Sequence, residues 1–95
     1  MINVVIYARS NIESEEYRQI HHCAEFAKRK GYRIIGIATT EQEVEKMVLQ
    51  EDVRAVIAVH PSRISRTLSE YSRIRETLFK FGTKIIIAEG YEARG

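Results

Sequence analysis

Three arginines stand among hydroxyl side chains in two short polar segments of this chain, and this combination suits phosphate chemistry. Residues 7–11 read Tyr-Ala-Arg-Ser-Asn, and residues 60–66 read His-Pro-Ser-Arg-Ile-Ser-Arg. The planar guanidinium of arginine donates two parallel hydrogen bonds to a phosphate, and its charge does not titrate away. Arg9, Arg63 and Arg66 are therefore candidate phosphate ligands.

The serine beside the first arginine is a candidate nucleophile. The hydroxyl of Ser10 could attack a phosphodiester phosphorus while the arginines stabilise the charge on the equatorial oxygens. A structural role is the alternative, in which Ser10 or Asn11 caps the first helix and Ser65 or Thr67 caps the third. The residue types alone leave both interpretations open.

Four β-rich apolar runs predict the strands that position these segments. They cover residues 2–7, 34–38, 55–59 and 85–88. Each run is nearly continuous rather than alternating, which is typical of strands buried on both faces of a parallel sheet.

Three helical patterns separate the strands. The first helix is predicted from about residue 14 to residue 30, with Gly31 as its stop. Thr40 is a plausible cap for the second, which ends near Gln50, and Gly82 ends the third. The apolar faces are predicted as Tyr17, Ile20, Ala24 and Ala27 with Cys23 beside them, then Val44, Met47 and Val48, then Leu68, Tyr71, Ile74, Leu78 and Phe81.

The order βαβαβαβ predicts one α/β domain over residues 1–95. We expect a four-stranded, mainly parallel sheet with right-handed crossovers and helices on both faces. Ligands of such folds bind at the carboxyl ends of the strands. The loops at residues 8–13 and 60–67 are therefore expected to form the site.

Composition and charge narrow the class of protein. With 44% hydrophobic and 29% charged residues the chain should fold, and the absence of a long apolar run or a basic leader predicts a cytoplasmic protein with no membrane contact. The net charge is only +2, but residues 54–84 hold seven basic and two acidic side chains. This local excess of positive charge either binds a polyanion such as nucleic acid or forms a solvated helix surface.

Cysteine and histidine give no sign of a metal or cofactor. Cys23 is alone, so we expect a buried small hydrophobe. The neighbours His21 and His22 point to different parts of a helix surface and cannot share one metal. His60 lies beside the arginines, either as a proton shuttle or as an ordinary loop residue.

The ordered motifs resemble the catalytic domain of serine site-specific DNA recombinases of the resolvase and invertase type. Residues 7–10 look like that family's strand-to-loop motif, and residues 19–32 look like its first helix and turn. Residues 62–67 are similar to its Asp-Arg-Leu-Ser-Arg segment, whose arginines grip the scissile phosphate. The resemblance implies a resolvase-like fold, DNA phosphate as the ligand of Arg9, Arg63 and Arg66, and Ser10 as nucleophile.

The chain departs from that family at three places. Serine follows Arg9 directly, so a strict register puts Asn11 in the nucleophile's place, whereas a one-residue deletion restores Ser10. The family's acid before the first arginine of the second loop is Ser62 here. Its arginine-bearing loop after the second strand is cut to residues 38–40, which hold no arginine. Losing one charge-stabilising donor costs about 3 to 4 kcal/mol of transition-state stabilisation, so strand cleavage is predicted to be weak or absent.

Three functions follow as alternatives. The first is a degenerate recombinase domain that binds DNA, or pairs with itself or with a recombinase, without cutting. The second is an active recombinase domain that uses Ser10. The third is a small α/β module for another phosphate ligand, although the first loop lacks the glycines of a phosphate-binding loop. The family's dimerising helix would begin near residues 92–95, so we expect no separate DNA-reading module in this chain.

Overall fold

The computed structural model describes residues 1–88 and contains four strands and three helices in strict alternation. The strands are β1 (Asn3–Tyr7), β2 (Arg33–Ala38), β3 (Ala55–Ala58) and β4 (Lys84–Ile87). The helices are α1 (Glu13–Lys30), α2 (Glu41–Gln50) and α3 (Leu68–Lys80), and a short 3-10 turn covers Pro61–Arg63. Every predicted element is present, with boundaries within two residues of the expected ones.

The four strands form one parallel sheet in the order β2-β1-β3-β4. The chain moves from β1 to one side and then returns past β1 to β3 and β4 on the other side. Right-handed crossovers then require α1 on one face and both α2 and α3 on the other. The predicted α/β fold with helices on both faces is confirmed.

Two apolar layers hold the helices against the sheet. On one face the buried residues of α1 pack on alternate residues of β1 and β3; this layer is Val4, Ile6, Cys23, Ala27, Ala55, Ile57 and Ala88. On the other face α2 and α3 pack through a second layer that includes Val5, Tyr7, Val44, Val48, Val56, Ile74 and Leu78. The central strands β1 and β3 are therefore buried on both sides, as their continuous apolar runs predict.

Local signals end the helices where the sequence places them. Gly31 adopts φ 73°, a left-handed conformation that glycine enters without a Cβ clash, and its N–H caps α1. Thr40 and Thr67 each accept a hydrogen bond from the backbone three residues on, at 3.2 Å. Thr67 is thus the cap of α3 that the sequence offered as an alternative to Ser65.

Some residues predicted to be buried are exposed. Most of them lie in the edge strand of the sheet or at a helix end, where less of the protein covers them than at the centre of the sheet. Ile34 and Ile37 of β2 are 38% and 44% exposed, since an edge strand is covered less than a central one. Leu68 and Phe81, at the two ends of α3, are exposed as well. Tyr17 is 64% exposed because the buried face of α1 runs through Gln19, Cys23 and Ala27 instead.

Candidate phosphate-binding site

The two arginine-bearing loops leave the sheet side by side. Ile6 of β1 is paired with Ile57 of β3, so the carboxyl ends of these parallel strands are neighbours. The strand order reverses between β1 and β3, and that switch point is where open α/β sheets bind ligands. The loop that carries Arg9 and the loop that carries Arg63 and Arg66 therefore start at the same edge of the sheet.

Arg9 is held through its backbone by Gln19 of α1. The Gln19 side chain is 4% exposed, and its Oε1 accepts a hydrogen bond from the Arg9 N–H at 3.0 Å. Its Nε2 donates to the Arg9 carbonyl oxygen, also at 3.0 Å. This pair of bonds fixes the arginine's backbone while its side chain stays exposed to solvent.

Ser10 is half-buried, and its hydroxyl is engaged in a local turn. The Ser10 Oγ accepts a hydrogen bond from the Ile12 N–H at 3.1 Å. Ile12 is the N-cap residue of α1 and has no capping side chain of its own. The expectation that Ser10 or Asn11 would be the cap residue is therefore wrong, although Ser10 does support the entry to the helix.

The second loop is anchored by a buried residue between its arginines. Ile64 is 3% exposed and packs into the layer beneath α3, so Arg63 and Arg66 flank a fixed point. Ser65 is also buried, and its Oγ accepts from the Thr67 N–H at 3.3 Å. Arg63 is half-buried and Arg66 is exposed.

A histidine and a serine form a contact at the start of this loop. The Ser62 N–H donates to the Nδ1 of His60 at 3.1 Å, and the Ser62 Oγ lies 2.8 Å from the same nitrogen. Ser62 stands where the resemblance expects an acid. The two side chains thus face each other directly before Arg63 in the chain.

The loop after β2 is only Thr39 and Thr40, and acidic side chains follow it at the start of α2. Glu43 Oε1 accepts hydrogen bonds from the Thr39 N–H at 2.8 Å and the Thr39 hydroxyl at 2.9 Å, and these bonds lower the pKa of Glu43. Glu41 accepts two bonds from the Arg73 guanidinium of α3, at 3.1 and 3.3 Å. A hydrogen bond with Glu41 raises the pKa of Glu45. The start of α2 therefore carries acidic side chains, one of which is paired with Arg73.

Tyr7 lies beneath the loops with its hydroxyl buried. That oxygen makes no well-formed hydrogen bond within residues 1–88. Burial raises the pKa of Tyr7, while the charge of Arg9 and a side-chain contact with Arg9 lower it. Glu41 and Glu70 also act on this pKa, in the raising direction. A cavity of about 10 Å³ beside the ring has room for a single water.

The role of Gln19 and the contact of His60 with Ser62 are the features that the sequence did not predict. A signal for Gln19 was present, because it shares a helical face with Cys23 and Ala27 at spacings of four. A polar side chain on such a face must find partners there. No comparable signal pointed to the contact between His60 and Ser62.

Neither a metal site nor a membrane helix is found in the described part of the chain. Within residues 1–88 no group of three or more histidine, cysteine or acidic side chains is placed to hold a metal. No helix over the same residues has the length and apolar character needed to cross a bilayer. Tyr91, an aromatic residue near the end of the sequence, lies outside the described residues.

The parallel sheet, its strand order and the arginine loops at the switch point define an open α/β domain with a candidate phosphate site at one edge of the sheet. No protein-family profile matches the sequence, and no curated protein matches it. Solved structures do match this fold, and they share between 16% and 24% of residues with it.

Three of these structures are serine recombinases or a related integrase. The catalytic domain of ISC1926 TnpA, an IS607-like serine recombinase, aligns with a TM-score of 0.81 at 24% identity over 93% of this chain and 71% of that one. A resolvase family site-specific recombinase from Streptococcus pneumoniae gives 0.80 at 17%, over 93% and 72%. The catalytic domain of TP901-1 integrase gives 0.78 at 16%, over 90% and 76%. The chain therefore has the fold of a serine recombinase catalytic domain, as the sequence motifs predict.

Proposed function

We propose that this domain binds DNA phosphate through Arg9, Arg63 and Arg66 and belongs to a site-specific recombination system. The observation that carries the proposal is the origin of these arginines from two adjacent loops at the switch point of a recombinase-type sheet. Guanidinium groups there are suited to the charge of a phosphodiester. Gln19 also holds the backbone of Arg9, so one of the three phosphate-binding arginines has an ordered backbone before DNA binds.

Strand cleavage by this domain is weak or absent in our proposal. The two loops keep three arginines, but the loop after β2 is only Thr39 and Thr40, where the resemblance calls for a cation. Without that cation, fewer donors stabilise the charge that develops during attack. The oxygen of Ser10 already accepts a backbone hydrogen bond, which restrains its direction.

A DNA titration over a series of salt concentrations tests the binding proposal. Three arginines that neutralise about three phosphates should give a log–log salt slope of about −2.7. Competition by inorganic phosphate or a mononucleotide at equal concentration should be weak, because only a polymer releases condensed counterions. Tight binding of the small phosphate with no DNA affinity would favour the alternative of a small-ligand module.

A suicide DNA substrate tests the alternative of an active recombinase that uses Ser10. We expect no covalent protein–DNA adduct, because alignment and charge stabilisation must act together and a misplacement of about 1 Å costs roughly a hundredfold in rate. An adduct that disappears in Ser10→Ala would establish Ser10 as nucleophile and overturn our proposal. The same proposal includes a protein partner on the DNA, which is either a second copy of this chain or another recombinase. The mass of the protein–DNA complex shows how many protein chains it contains.

A further inference from the structure

The hydrogen bonds of His60 fix which form of its ring faces Ser62. A backbone N–H can only donate, so the Ser62 N–H at 3.1 Å makes Nδ1 an acceptor. The proton of the neutral imidazole then lies on Nε2. The Ser62 Oγ, 2.8 Å from the same Nδ1, can also direct its proton to this nitrogen, whose single lone pair the two donors then share.

A hydroxyl that donates to an imidazole is the arrangement of an activated nucleophile. The base must lie within about 2.6 to 3.2 Å of the hydroxyl oxygen, and the contact of Ser62 with His60 meets this distance. Ser62 is exposed, so a substrate can reach its oxygen. The hydrogen bond recorded for the Ser10 hydroxyl within residues 1–88 is one that it accepts from the Ile12 N–H, and this bond does not supply a base.

Cationic groups lie next to this pair in the chain. Arg63 follows Ser62 directly, and Arg66 comes after the buried anchor Ile64. Guanidinium groups stabilise the charge that develops on phosphoryl oxygens during attack. Nucleophile, base and cations are therefore supplied by one loop of seven residues at the carboxyl end of β3.

We infer that Ser62, with His60 as its base, is a second nucleophilic site that accepts a phosphoryl group from activated phosphodiesters. The inference rests on the proposed function, because Arg63 and Arg66 are taken as phosphate ligands there. In the step, the Ser62 oxygen forms a bond to phosphorus and its proton passes to Nδ1 of His60. The bond from phosphorus to the leaving group breaks, and the leaving group departs with that electron pair.

This activity is compatible with the absence of a DNA adduct. Cleavage of DNA expels a sugar alkoxide, which needs a proton donor on the side opposite the attacking oxygen, whereas His60 lies beside that oxygen. An aryl phosphodiester expels a stable phenolate and needs no such donor. The pair of Ser62 and His60 therefore acts on activated esters only.

Reaction of the intact chain with bis(p-nitrophenyl) phosphate tests the inference. We expect a burst of one p-nitrophenolate per chain and a p-nitrophenyl phosphoryl group on Ser62, located by peptide mass spectrometry. Ser62→Ala should abolish both signals. His60→Asn keeps an oxygen that can accept the Ser62 N–H but removes the base, so the labelling rate should fall about a hundredfold.

Controls separate this inference from the proposed function. Ser69→Ala removes an exposed hydroxyl on α3 and should leave the labelling rate unchanged. No label, a label on Ser10, or an undiminished rate in His60→Asn would overturn the inference. If wild-type DNA binding depends on Arg63 and Arg66 but Ser62 is not labelled, the inference alone fails. If Ser62 is labelled but DNA affinity does not change when Arg63 and Arg66 are replaced, the proposed function alone fails.

Discussion

Gln19 connects the buried face of α1 to the loop that carries Arg9. Its amide makes two hydrogen bonds to the Arg9 backbone from a position that is almost completely buried. The sequence indicated the helix but placed its apolar face about one residue away, through Tyr17. The apolar face was misplaced because glutamine is polar and is expected on the exposed side of a helix. Here it is buried because the backbone of the loop needs a polar partner.

Replacing Gln19 by methionine should destabilise the domain and weaken DNA binding together. The volume is nearly kept, but the N–H and the carbonyl of Arg9 lose their partners, at a cost of about 1 to 3 kcal/mol. Urea unfolding and a DNA titration measure the two effects. Gln42→Met, on the exposed side of α2, is the matched control and should stay within about 0.5 kcal/mol of wild type. Equal losses in both variants would contradict the role given to Gln19.

Cys23 should be unreactive until the chain unfolds. Its side chain is 0% exposed, and burial raises the pKa of the thiol to about 12. A raised pKa stabilises the folded state below the unfolded value near 9, and this contribution is lost as the pH rises toward 12. Ellman's reagent at pH 8 should therefore label Cys23 only in denaturant. Rapid stoichiometric labelling of the native protein would show that the helix layer is open.

Apart from the start of α1, whose N-cap is Ile12, helix caps and stops were predictable because they depend on two or three neighbouring residues. Gly31 ends α1, and Thr40 and Thr67 cap α2 and α3. The exposure of β2 was not predictable from its apolar run, because the strand order that makes it an edge is set by the whole chain. The positions of the arginine loops were predictable, since parallel strands always bring their carboxyl ends to one edge.

Replacing Thr67 by alanine should cost about 1 kcal/mol of stability through the loss of the α3 cap. The Glu70 N–H then has no side-chain acceptor at the helix start. Thr67→Ser keeps the hydroxyl and should restore most of the stability. Thermal unfolding of the three proteins compares them. Equal melting temperatures for the alanine and serine variants would show that the hydroxyl does not matter.

Charge is divided across the molecule in a way that its small net value conceals. The loops after β1 and β3 carry Arg9, Arg63 and Arg66, whereas five acids fall between residues 41 and 52. Glu41 is paired with Arg73, which reduces its repulsion of an anion. Three arginines therefore meet at one edge of the sheet in a molecule whose net charge is small. Only binding that is confined to this edge agrees with the proposed function.

The most direct measurement compares DNA binding by two double variants of equal charge. Arg63→Ala with Arg66→Ala removes two proposed phosphate ligands, whereas Arg75→Ala with Lys80→Ala removes two exposed cations of α3. We predict that the first variant loses most of its affinity and that its log–log salt slope falls in magnitude by about 1.8, while the second keeps its slope close to that of wild type. Equal affinity and slope in the first variant and the wild type, or equal losses in both variants, would contradict a phosphate site built on the two arginine loops.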